Sequence, residues 1–312
     1  GSLGIMNTAI NPRPERDTSG VSFGVNNDVA AEMLGGGVIL FRDAISLDWE
    51  WCDSFSTNGV ASEFGSSYTP VLGDDGEIKH YLNRSSYAFS AAGVELMPKR
   101  FSSGHQDANS TAIRTLEFIE KVKDFYLLKY IEQYPVAYKS IWWKVKGHVV
   151  AYLDKHKSFL GEHSDTSADY EYGQPHPVNQ LAQRNNVSCI VYFNNSGEHF
   201  TGGNHYFTYL DIEYSPNRGD ILFFPSNYMA AHEVKTVTSG TRYSYLGWYC
   251  YGSPNKEYDE SVTDPAEFPD VAQYSTNVYM PTLKKDLLKY LNKNPTKNMR
   301  AIQIVENNQN EY

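Results

Sequence analysis

Short apolar segments separated by turn residues dominate the middle of the chain. The segments rich in Val, Ile, Tyr and Phe are typical of strands, and they lie at residues 146–153, 188–194, 205–209, 220–224 and 244–251. Turn chemistry separates them, as in Asn195-Ser196-Gly197, Gly202-Gly203 and Pro216-Asn217-Arg218-Gly219. Many short strands with Gly and Pro between them predict an antiparallel sandwich or barrel, here a jelly roll with helices ahead of it.

Other periodic segments flank this strand-rich region. The β-branched and apolar run Val38–Phe41 follows three glycines and is expected to be a buried strand, and Ser46 offers an N-cap for a helix after it. Residues 110–133 carry an apolar stripe on one face of a helix, which should pack against a sheet. The stripe consists of Leu116, Ile119, Val122, Tyr126 and Tyr130. A further helix is predicted at residues 282–291.

The expected organisation is one elaborated domain, mainly β with flanking helices (α+β). Residues 1–20 are expected to form a flexible leader, in which Gly1 to Ile5 look like a tag remnant before a native Met6. The jelly-roll domain, with N-terminal helical support, should occupy residues 21–252. Residues 253–312 form a C-terminal extension whose last dozen residues should be mobile. Residues 56–109 favour loops and short strands, and their role is not indicated.

Charge and cysteine content narrow the function classes. The formal charge of −10 and the pI near 5.4 argue against electrostatic binding of nucleic acid over a broad surface. No apolar run approaches the roughly 18 residues that a membrane span needs. The three cysteines, Cys52, Cys189 and Cys250, are far apart and lack CxxC spacing, so they indicate neither a disulfide framework nor a thiolate zinc site. We therefore expect a cytoplasmic protein, whose oligomeric state the sequence does not indicate.

Two separated segments carry the candidate chemistry. His163 and Asp165 are two residues apart, so in an extended strand both side chains leave the same face and can converge on one ion. His232 lies about seventy residues later. Two imidazoles and one carboxylate form the facial triad of a non-haem Fe(II) centre, which leaves coordination positions open for substrate chemistry.

A candidate anion site follows ten residues after His232, at Arg242. Ser244 lies on the same face of the predicted strand. The guanidinium fork matches a carboxylate with two parallel hydrogen bonds, and the Ser244 hydroxyl can add a third. A dicarboxylate could thus be held with its far end on the metal. Taken singly, Arg242 has the ordinary interpretation of a surface salt bridge and His232 that of a packed histidine, but their joint occurrence in this order favours a site.

With these residues the chain resembles the prolyl-4-hydroxylase-like branch of the 2-oxoglutarate and Fe(II)-dependent dioxygenases. The resemblance covers about residues 149–248. Its motifs are Val149-Val150-Ala151-Tyr152, His163-Ser164-Asp165, Val191-Tyr192-Phe193-Asn194, Thr201-Gly202-Gly203, Gly219 to Pro225, His232-Glu233-Val234 and Val237 to Ser244 with Trp248. It implies a double-stranded β-helix in which His163, Asp165 and His232 hold Fe(II). Arg242 would hold the distal carboxylate of 2-oxoglutarate, with Tyr152 near it and Ser244 and Ser188 as weaker candidates.

The implied activity is hydroxylation of an unactivated C–H bond, with 2-oxoglutarate as co-substrate and ascorbate as an accessory reductant. The intact carboxylate of Asp165 favours hydroxylation over halogenation, while desaturation and ring formation stay open. A prolyl or other residue of a protein is the first expectation for the substrate, and a free amino acid or small metabolite is the second. Two different functions also stay open: an inactive jelly-roll binding module, and a cupin-like metal enzyme that does not use 2-oxoglutarate.

The segment between Asp165 and Ser188 departs from simpler members of that branch because it is long and polar. We expect residues 166–186 to form part of the substrate entrance, with Tyr170, Tyr172 and Arg184 as contacts. Four further histidines near the motifs are expected to be loop or strand residues rather than ligands. They are His156, His176, His199 and His205.

Overall fold

A computed structural model describes most of the chain's core. The described residues are 15–16, 22–25, 29–57, 64–66, 69–72, 78–82, 94–98, 111–154, 157–166, 184–254 and 277–307. Several predictions fall outside them. These are the leader apart from residues 15–16, the loop residues Tyr170 and Tyr172, and the histidines His156 and His176.

The described strands, in chain order, are β1 Glu15–Arg16, β2 Ser22–Val25, β3 Glu32–Gly35, β4 Val38–Phe41, β5 Ile45–Ser46, β6 Phe64–Ser66, β7 Thr69–Leu72, β8 Ile78–Leu82, β9 Val94–Pro98, β10 Trp143–Leu153, β11 Leu160–His163, β12 Asn185–Tyr192, β13 Phe200–Gly202, β14 His205–Phe207, β15 Ile212–Tyr214, β16 Ile221–Pro225, β17 His232–Val234, β18 Val237–Cys250 and β19 Asn277–Tyr279. The helices are α1 Trp49–Thr57, α2 Thr111–Gln133, α3 Leu283–Leu291 and α4 Met299–Asn307, with 3₁₀ turns at Pro135–Ser140 and Tyr228–Ala230. None of these described helices is long and apolar enough to cross a membrane.

Eight antiparallel strands in two sheets form the centre of the fold. The larger sheet has the order β3-β4-β16-β12-β18-β10-β9-β6, and the smaller sheet has the order β11-β17-β14-β15. Along the chain β11, the hairpin of β14 and β15, and β17 alternate with β10, β12, β16 and β18 of the larger sheet, so the chain passes back and forth between the two layers. This is the strand order of a double-stranded β-helix, and it confirms the predicted jelly roll.

The inner faces of the two sheets pack against each other. At one end Val150 and Tyr152 of the larger sheet meet Val234 of the smaller one, and at the other end Ile190 and Leu222 meet Phe207. Since period-two alternation sends every second side chain of a strand inward, these positions bury apolar groups from both layers.

Helix α2 covers the outer face of the larger sheet. Its predicted stripe is buried, including Leu116, Ile119 and Val122, and it packs on outward-facing strand residues such as Val149 and Val191. Helices α3 and α4 extend the same core through Leu287 and Val305. The two described helices of the C-terminal extension are therefore packed against the domain.

Several boundaries differ from the predictions, and three of the differences bear on the site or the core. Strand β18 begins at Val237, because the polar residues at its start pair with β13 at the edge of the barrel. Strand β11 ends at His163, so Asp165 lies just beyond the strand that was expected to carry it. The expectation of twelve mobile C-terminal residues is wrong for residues 301–307, since Ala301 and Val305 of α4 are buried in the core.

A buried ion network joins α2 to the sheet. Lys123 Nζ lies 3.1 Å from Glu120 Oε1, and Lys144 Nζ of β10 lies 2.6 Å from Asp124 Oδ2 and 3.3 Å from Glu120 Oε2. The Tyr245 hydroxyl of β18 donates to Glu120 Oε1 at 2.6 Å. Burial would raise the pKa of Glu120, but the two lysines outweigh burial and lower it to about 2.

A bulge in β10 opens towards this network. The register of β10 against β18 shifts between Val145 and His148, and the amide of Gly147 donates to Tyr245 Oη at 3.0 Å. A Cβ on Gly147 would lie 1.0 Å from the carbonyl oxygen of Leu246, so only glycine fits. The bulge therefore sets the register of β10 against β18, and with it which side chains of β10 face the interior.

Replacing Glu120 by Gln should destabilise the protein by about 3–5 kcal/mol at neutral pH, because it leaves two buried ammonium groups with less compensation. The pKa of Glu120 is lowered from 4.5 to about 2, so its contribution is complete above pH 4.5 and is lost as pH falls towards 2. The difference in the free energy of unfolding between wild type and Glu120→Gln should therefore become smaller at low pH. Urea unfolding at about pH 7 and about pH 3 measures it.

Glu117→Gln is the matched control, because Glu117 is an exposed residue one turn earlier on the same helix. Equal stability of Glu120→Gln and Glu117→Gln at neutral pH would contradict the role assigned to the network.

Candidate metal centre and anion pocket

His163, Asp165 and His232 converge at one end of the smaller sheet. His163 ends β11 and His232 begins β17, and the two are register partners across these strands. Nε2 of each imidazole lies 3.4 Å from Asp165 Oδ1. The three side chains form the one group of potential metal ligands found among the described residues, with ligand atoms within 4.8 Å of one another. These separations suit one ion with bonds of about 2.1 Å.

Backbone carbonyls orient both imidazoles. His163 Nδ1 lies 2.8 Å from the carbonyl oxygen of Gly161, and His232 Nδ1 lies 3.0 Å from that of Ala230. A carbonyl oxygen only accepts, so Nδ1 carries the proton in each ring and the lone pair of Nε2 points towards Asp165. Burial lowers the pKa of His232 to about 4, which favours the neutral form that binds metal ions.

The Asp165 carboxylate is held from behind. Its Oδ2 accepts hydrogen bonds from Ser188 Oγ at 2.6 Å and from Trp248 Nε1 at 3.1 Å, which leaves Oδ1 directed at the two imidazoles. Burial would raise the pKa of Asp165, but the two histidines and the Ser188 hydroxyl outweigh burial and lower it. The Asp165 side chain is therefore an anion whose Oδ1 is available to a metal ion. The hydrogen bonds from Ser188 and Trp248 fix its rotamer.

Local backbone contacts hold Asp165 although it lies beyond the end of β11. The side-chain amide of Asn185 donates through Nδ2 to the carbonyl oxygen of Asp165 at 3.1 Å. The backbone N–H of Thr166 donates to the carbonyl oxygen of Ser226 at 2.9 Å. These bonds join the segment after β11 to β12 and to the end of β16.

Arg242 is buried on the inner face of β18, with 1% of its surface exposed. Its Nε and Nη1 have no hydrogen-bond partner among the described residues. The guanidinium carbon lies 5.0 Å from the ring centroid of Tyr152 and 5.3 Å from that of Tyr192. Two aromatic rings stabilise the cation, but they do not satisfy its N–H groups. The interpretation of Arg242 as a surface salt bridge is therefore wrong.

Further unpartnered polar groups lie on the same inner face. Register places Ser244 opposite Tyr192 and places Arg242 opposite Tyr152. The hydroxyls of Ser244 and Tyr192 are buried and, like both ring nitrogens of His205, have no partner among the described residues. Burying so many unsatisfied polar groups costs several kcal/mol. The arrangement suits an anion with several acceptor oxygens.

The turn after β13 brings backbone close to Arg242. Gly202 and Gly203 have φ of +73° and +68°, and a Cβ on Gly203 would lie 3.2 Å from Arg242 Cδ. The turn predicted at Gly202-Gly203 is confirmed. The pKa of Tyr152 is raised by burial to about 12, with Arg242 opposing the shift, so the phenol is neutral.

Sequence reasoning missed four features of this site. Ser188 was a weak candidate for the co-substrate pocket, yet it lies against Asp165. Trp248 and Tyr192 were known only as parts of motifs. His205 was expected to be an ordinary strand residue, and it is a strand residue outside the metal cluster, but it adjoins the site. One signal in the sequence could have found Trp248. Arg242, Ser244 and Trp248 are separated by even numbers of residues, so in a strand all three side chains lie on one face.

The comparisons agree with this geometry. Residues 147–250 match the family model described as the 2OG-Fe(II) oxygenase superfamily. No curated protein matches the chain significantly.

The solved structures that resemble the chain share little sequence with it. They include a viral collagen prolyl hydroxylase from Paramecium Bursaria Chlorella virus-1 in a 2OG complex, which is 13% identical, with 66% of this chain and 89% of that chain covered and a TM-score of 0.39. A prolyl hydroxylase from Trichoplax adhaerens, in complex with a peptide of the hypoxia inducible factor oxygen degradation domain, is 12% identical, with 73% and 88% covered and a TM-score of 0.45. A Pseudomonas putida prolyl-4-hydroxylase is 15% identical, with 66% and 86% covered and a TM-score of 0.37.

The family match begins at the bulge in β10 and ends with the last residue of β18, so it includes all three potential metal ligands and Arg242. Over this part of the chain the jelly-roll core is thus similar to the 2OG-Fe(II) oxygenase superfamily, whose activity depends on Fe(II) and 2-oxoglutarate.

Proposed function

We propose that this dioxygenase hydroxylates an unactivated C–H bond in a prolyl or other residue of a protein. His163, Asp165 and His232 hold the Fe(II), and Arg242 holds the distal carboxylate of 2-oxoglutarate. One observation carries the site assignment: a buried guanidinium, whose Nε and Nη1 have no hydrogen-bond partner among the described residues, lies on the same inner face of β18 as the tryptophan that supports Asp165. A dicarboxylate that spans this face satisfies the guanidinium at one end and reaches the metal ligands at the other.

The residues of the chain prepare the metal site before the co-substrate binds. Two imidazoles and one carboxylate would hold the Fe(II) ion and would leave its other coordination positions open for the co-substrate and oxygen. When bound, Fe(II) and 2-oxoglutarate together supply the oxidising power that puts one atom of O2 into the substrate and the other into succinate. Ser188 and Trp248 keep Asp165 from rotating, so both ligating geometry and charge are fixed in advance.

The pocket walls orient the co-substrate and exclude water. Ser244 and Tyr192 add hydroxyl donors beside Arg242, while Tyr152 covers the guanidinium. Val237 and Leu246 pack with Tyr152 in one apolar cluster beside these groups. A carboxylate buried in such a site interacts strongly with the guanidinium because little water screens the pair.

Exposed large side chains adjoin the metal ligands and favour a macromolecular substrate. Tyr228 and Met229, which are 71% and 49% exposed, lie in the 3₁₀ turn that ends two residues before His232. Tyr209, 61% exposed, follows Thr208, whose amide donates to the carbonyl oxygen of Ala231. Such a group of exposed aromatic and apolar residues is typical of a binding surface.

The substrate class is tested by incubating the protein with Fe(II), ascorbate and 2-oxoglutarate. Prolyl and other peptides, free proline and a metabolite mixture are offered in parallel, and mass spectrometry searches for a gain of one oxygen matched by succinate. We expect oxygen in a peptide. Oxidation of free amino acids or metabolites alone would contradict the protein substrate, and absence of any oxidised product would contradict the hydroxylase.

Replacing Asp165 by Ala should abolish stoichiometric Fe(II) binding and turnover without unfolding the protein, because two imidazoles alone bind Fe(II) weakly. Ser188→Ala and Trp248→Phe each remove one hydrogen bond to Asp165 and should weaken metal binding about 10–100-fold. Anaerobic metal titration measures both effects. Thr238→Ala, which removes an exposed hydroxyl on β18, serves as the control. Full activity in Asp165→Ala would contradict the ligand assignment.

Replacing Arg242 by Ala should weaken 2-oxoglutarate binding by about 2–5 kcal/mol, or roughly thirtyfold or more, since it removes a buried bidentate contact. Titration with 2-oxoglutarate in the presence of metal measures the loss. The control is Arg218→Ala, which removes a guanidinium that pairs with Asp53 outside the pocket. Equal affinities of Arg242→Ala and wild type would rule the anchor out.

A further inference from the structure

His205 is a buried histidine that the metal site does not use. It is the first residue of β14, with 1% of its surface exposed. Its ring stacks on that of His232, with centroids 4.5 Å apart and an interplanar angle of 18°. Phe207 and Phe224 pack around it, with centroids at 4.7 Å and 5.4 Å. The ring is thus held in one place by apolar and aromatic neighbours.

Both ring nitrogens of His205 have no hydrogen-bond partner among the described residues. An imidazole carries at least one N–H donor in either protonation state. A buried donor left unsatisfied is costly, and buried histidines ordinarily find a partner. The unpartnered ring nitrogens of His205 therefore indicate a position that binds a ligand.

The backbone places His205 between the two ends of the proposed co-substrate site. Phe207, two residues later, is the register partner of His232 in β17. Gly203, two residues earlier, lies beside Arg242 Cδ. Val234, the register partner of His205, packs with Tyr152, whose ring lies beside the Arg242 guanidinium. His205 therefore lies between the proposed metal ligand His232 and the Arg242 end of the pocket.

We propose that His205 donates a hydrogen bond to the distal carboxylate of 2-oxoglutarate, next to Arg242, and so helps the pocket select a dicarboxylate. This inference rests on the proposed function. A carboxylate has about four acceptor positions on its two oxygens, and Arg242, Tyr192 and Ser244 do not come from the side of β14. His205 supplies a donor from the smaller sheet, so that the carboxylate is held from both layers of the jelly roll.

The test compares two 2-oxo acids on the metal-loaded protein. 2-Oxovalerate has a methyl group in place of the distal carboxylate of 2-oxoglutarate. His205→Leu keeps the volume and removes the donor, so it should weaken 2-oxoglutarate binding about 10–100-fold and leave 2-oxovalerate binding unchanged. Unchanged 2-oxoglutarate affinity would overturn the proposal, as would equal losses for the two acids.

Amide variants test the hydrogen bond separately from packing. His205→Gln and His205→Asn place an N–H near the positions of Nε2 and Nδ1, so one of the two should retain affinity that His205→Leu loses. If Leu, Gln and Asn all lower the affinity equally, packing is the cause and the proposal fails. Thermal unfolding of each variant without ligand identifies those that do not fold.

The wild-type protein gives a readout that needs no variant. With Zn(II) in place of Fe(II) and ¹⁵N-labelled histidine, 2-oxoglutarate should slow the exchange of the His205 ring N–H with solvent and shift its resonance, whereas 2-oxovalerate should not. An unaltered resonance with bound 2-oxoglutarate would overturn the role of His205. Absence of 2-oxoglutarate binding to the wild type would instead contradict the proposed co-substrate site, so the two failures are distinguishable.

Discussion

The alternation of side chains along β18 is the constraint on which the site depends. Outward-facing Tyr245 and Tyr249 donate hydrogen bonds to Glu120 and Asp124 of α2. Inward-facing residues of the same strand are Arg242, Ser244 and Trp248. Because the period of a strand is two, a slip of one residue would send the inward groups to the helix side and the outward tyrosines into the barrel. The contacts with α2 therefore also fix the register of the pocket.

Several interactions hold β18 in this register. It pairs with β10 on one side and β12 on the other, and with β13 at its start. The bulge at Gly147 is closed by Tyr245 and Glu120, so the ion network and the strand register stabilise each other. The two proposed histidine ligands come from the smaller sheet and Asp165 lies just beyond it, while the support of Asp165 comes from Ser188 and Trp248 of the larger sheet. The site is assembled on paired strands, which favours a rigid arrangement.

How much the sequence could predict depends on whether a feature is local. The potential ligands His163 and His232 and the proposed anchor Arg242 stand in short motifs, and Val38–Phe41 is apolar throughout, so each was predictable. Tyr192 and Ser188 could not be assigned, because their partners lie on strands far away in sequence and depend on inter-strand register. Tyr152 stays a prediction: its ring covers Arg242, but among the described residues no hydrogen bond of its hydroxyl indicates a role. His205 was missed because burial beside His232 is a property of the folded barrel alone.

The most direct test of the central claim is the coupling between metal and co-substrate binding. If 2-oxoglutarate runs from Arg242 to a metal ion on His163, Asp165 and His232, each of the two must raise the affinity of the other by the same factor. The dissociation constant of 2-oxoglutarate, measured anaerobically with and without Fe(II), should differ by at least about tenfold. The coupling should vanish in Asp165→Ala. Equal 2-oxoglutarate affinities with and without Fe(II) in the wild-type protein would contradict the account.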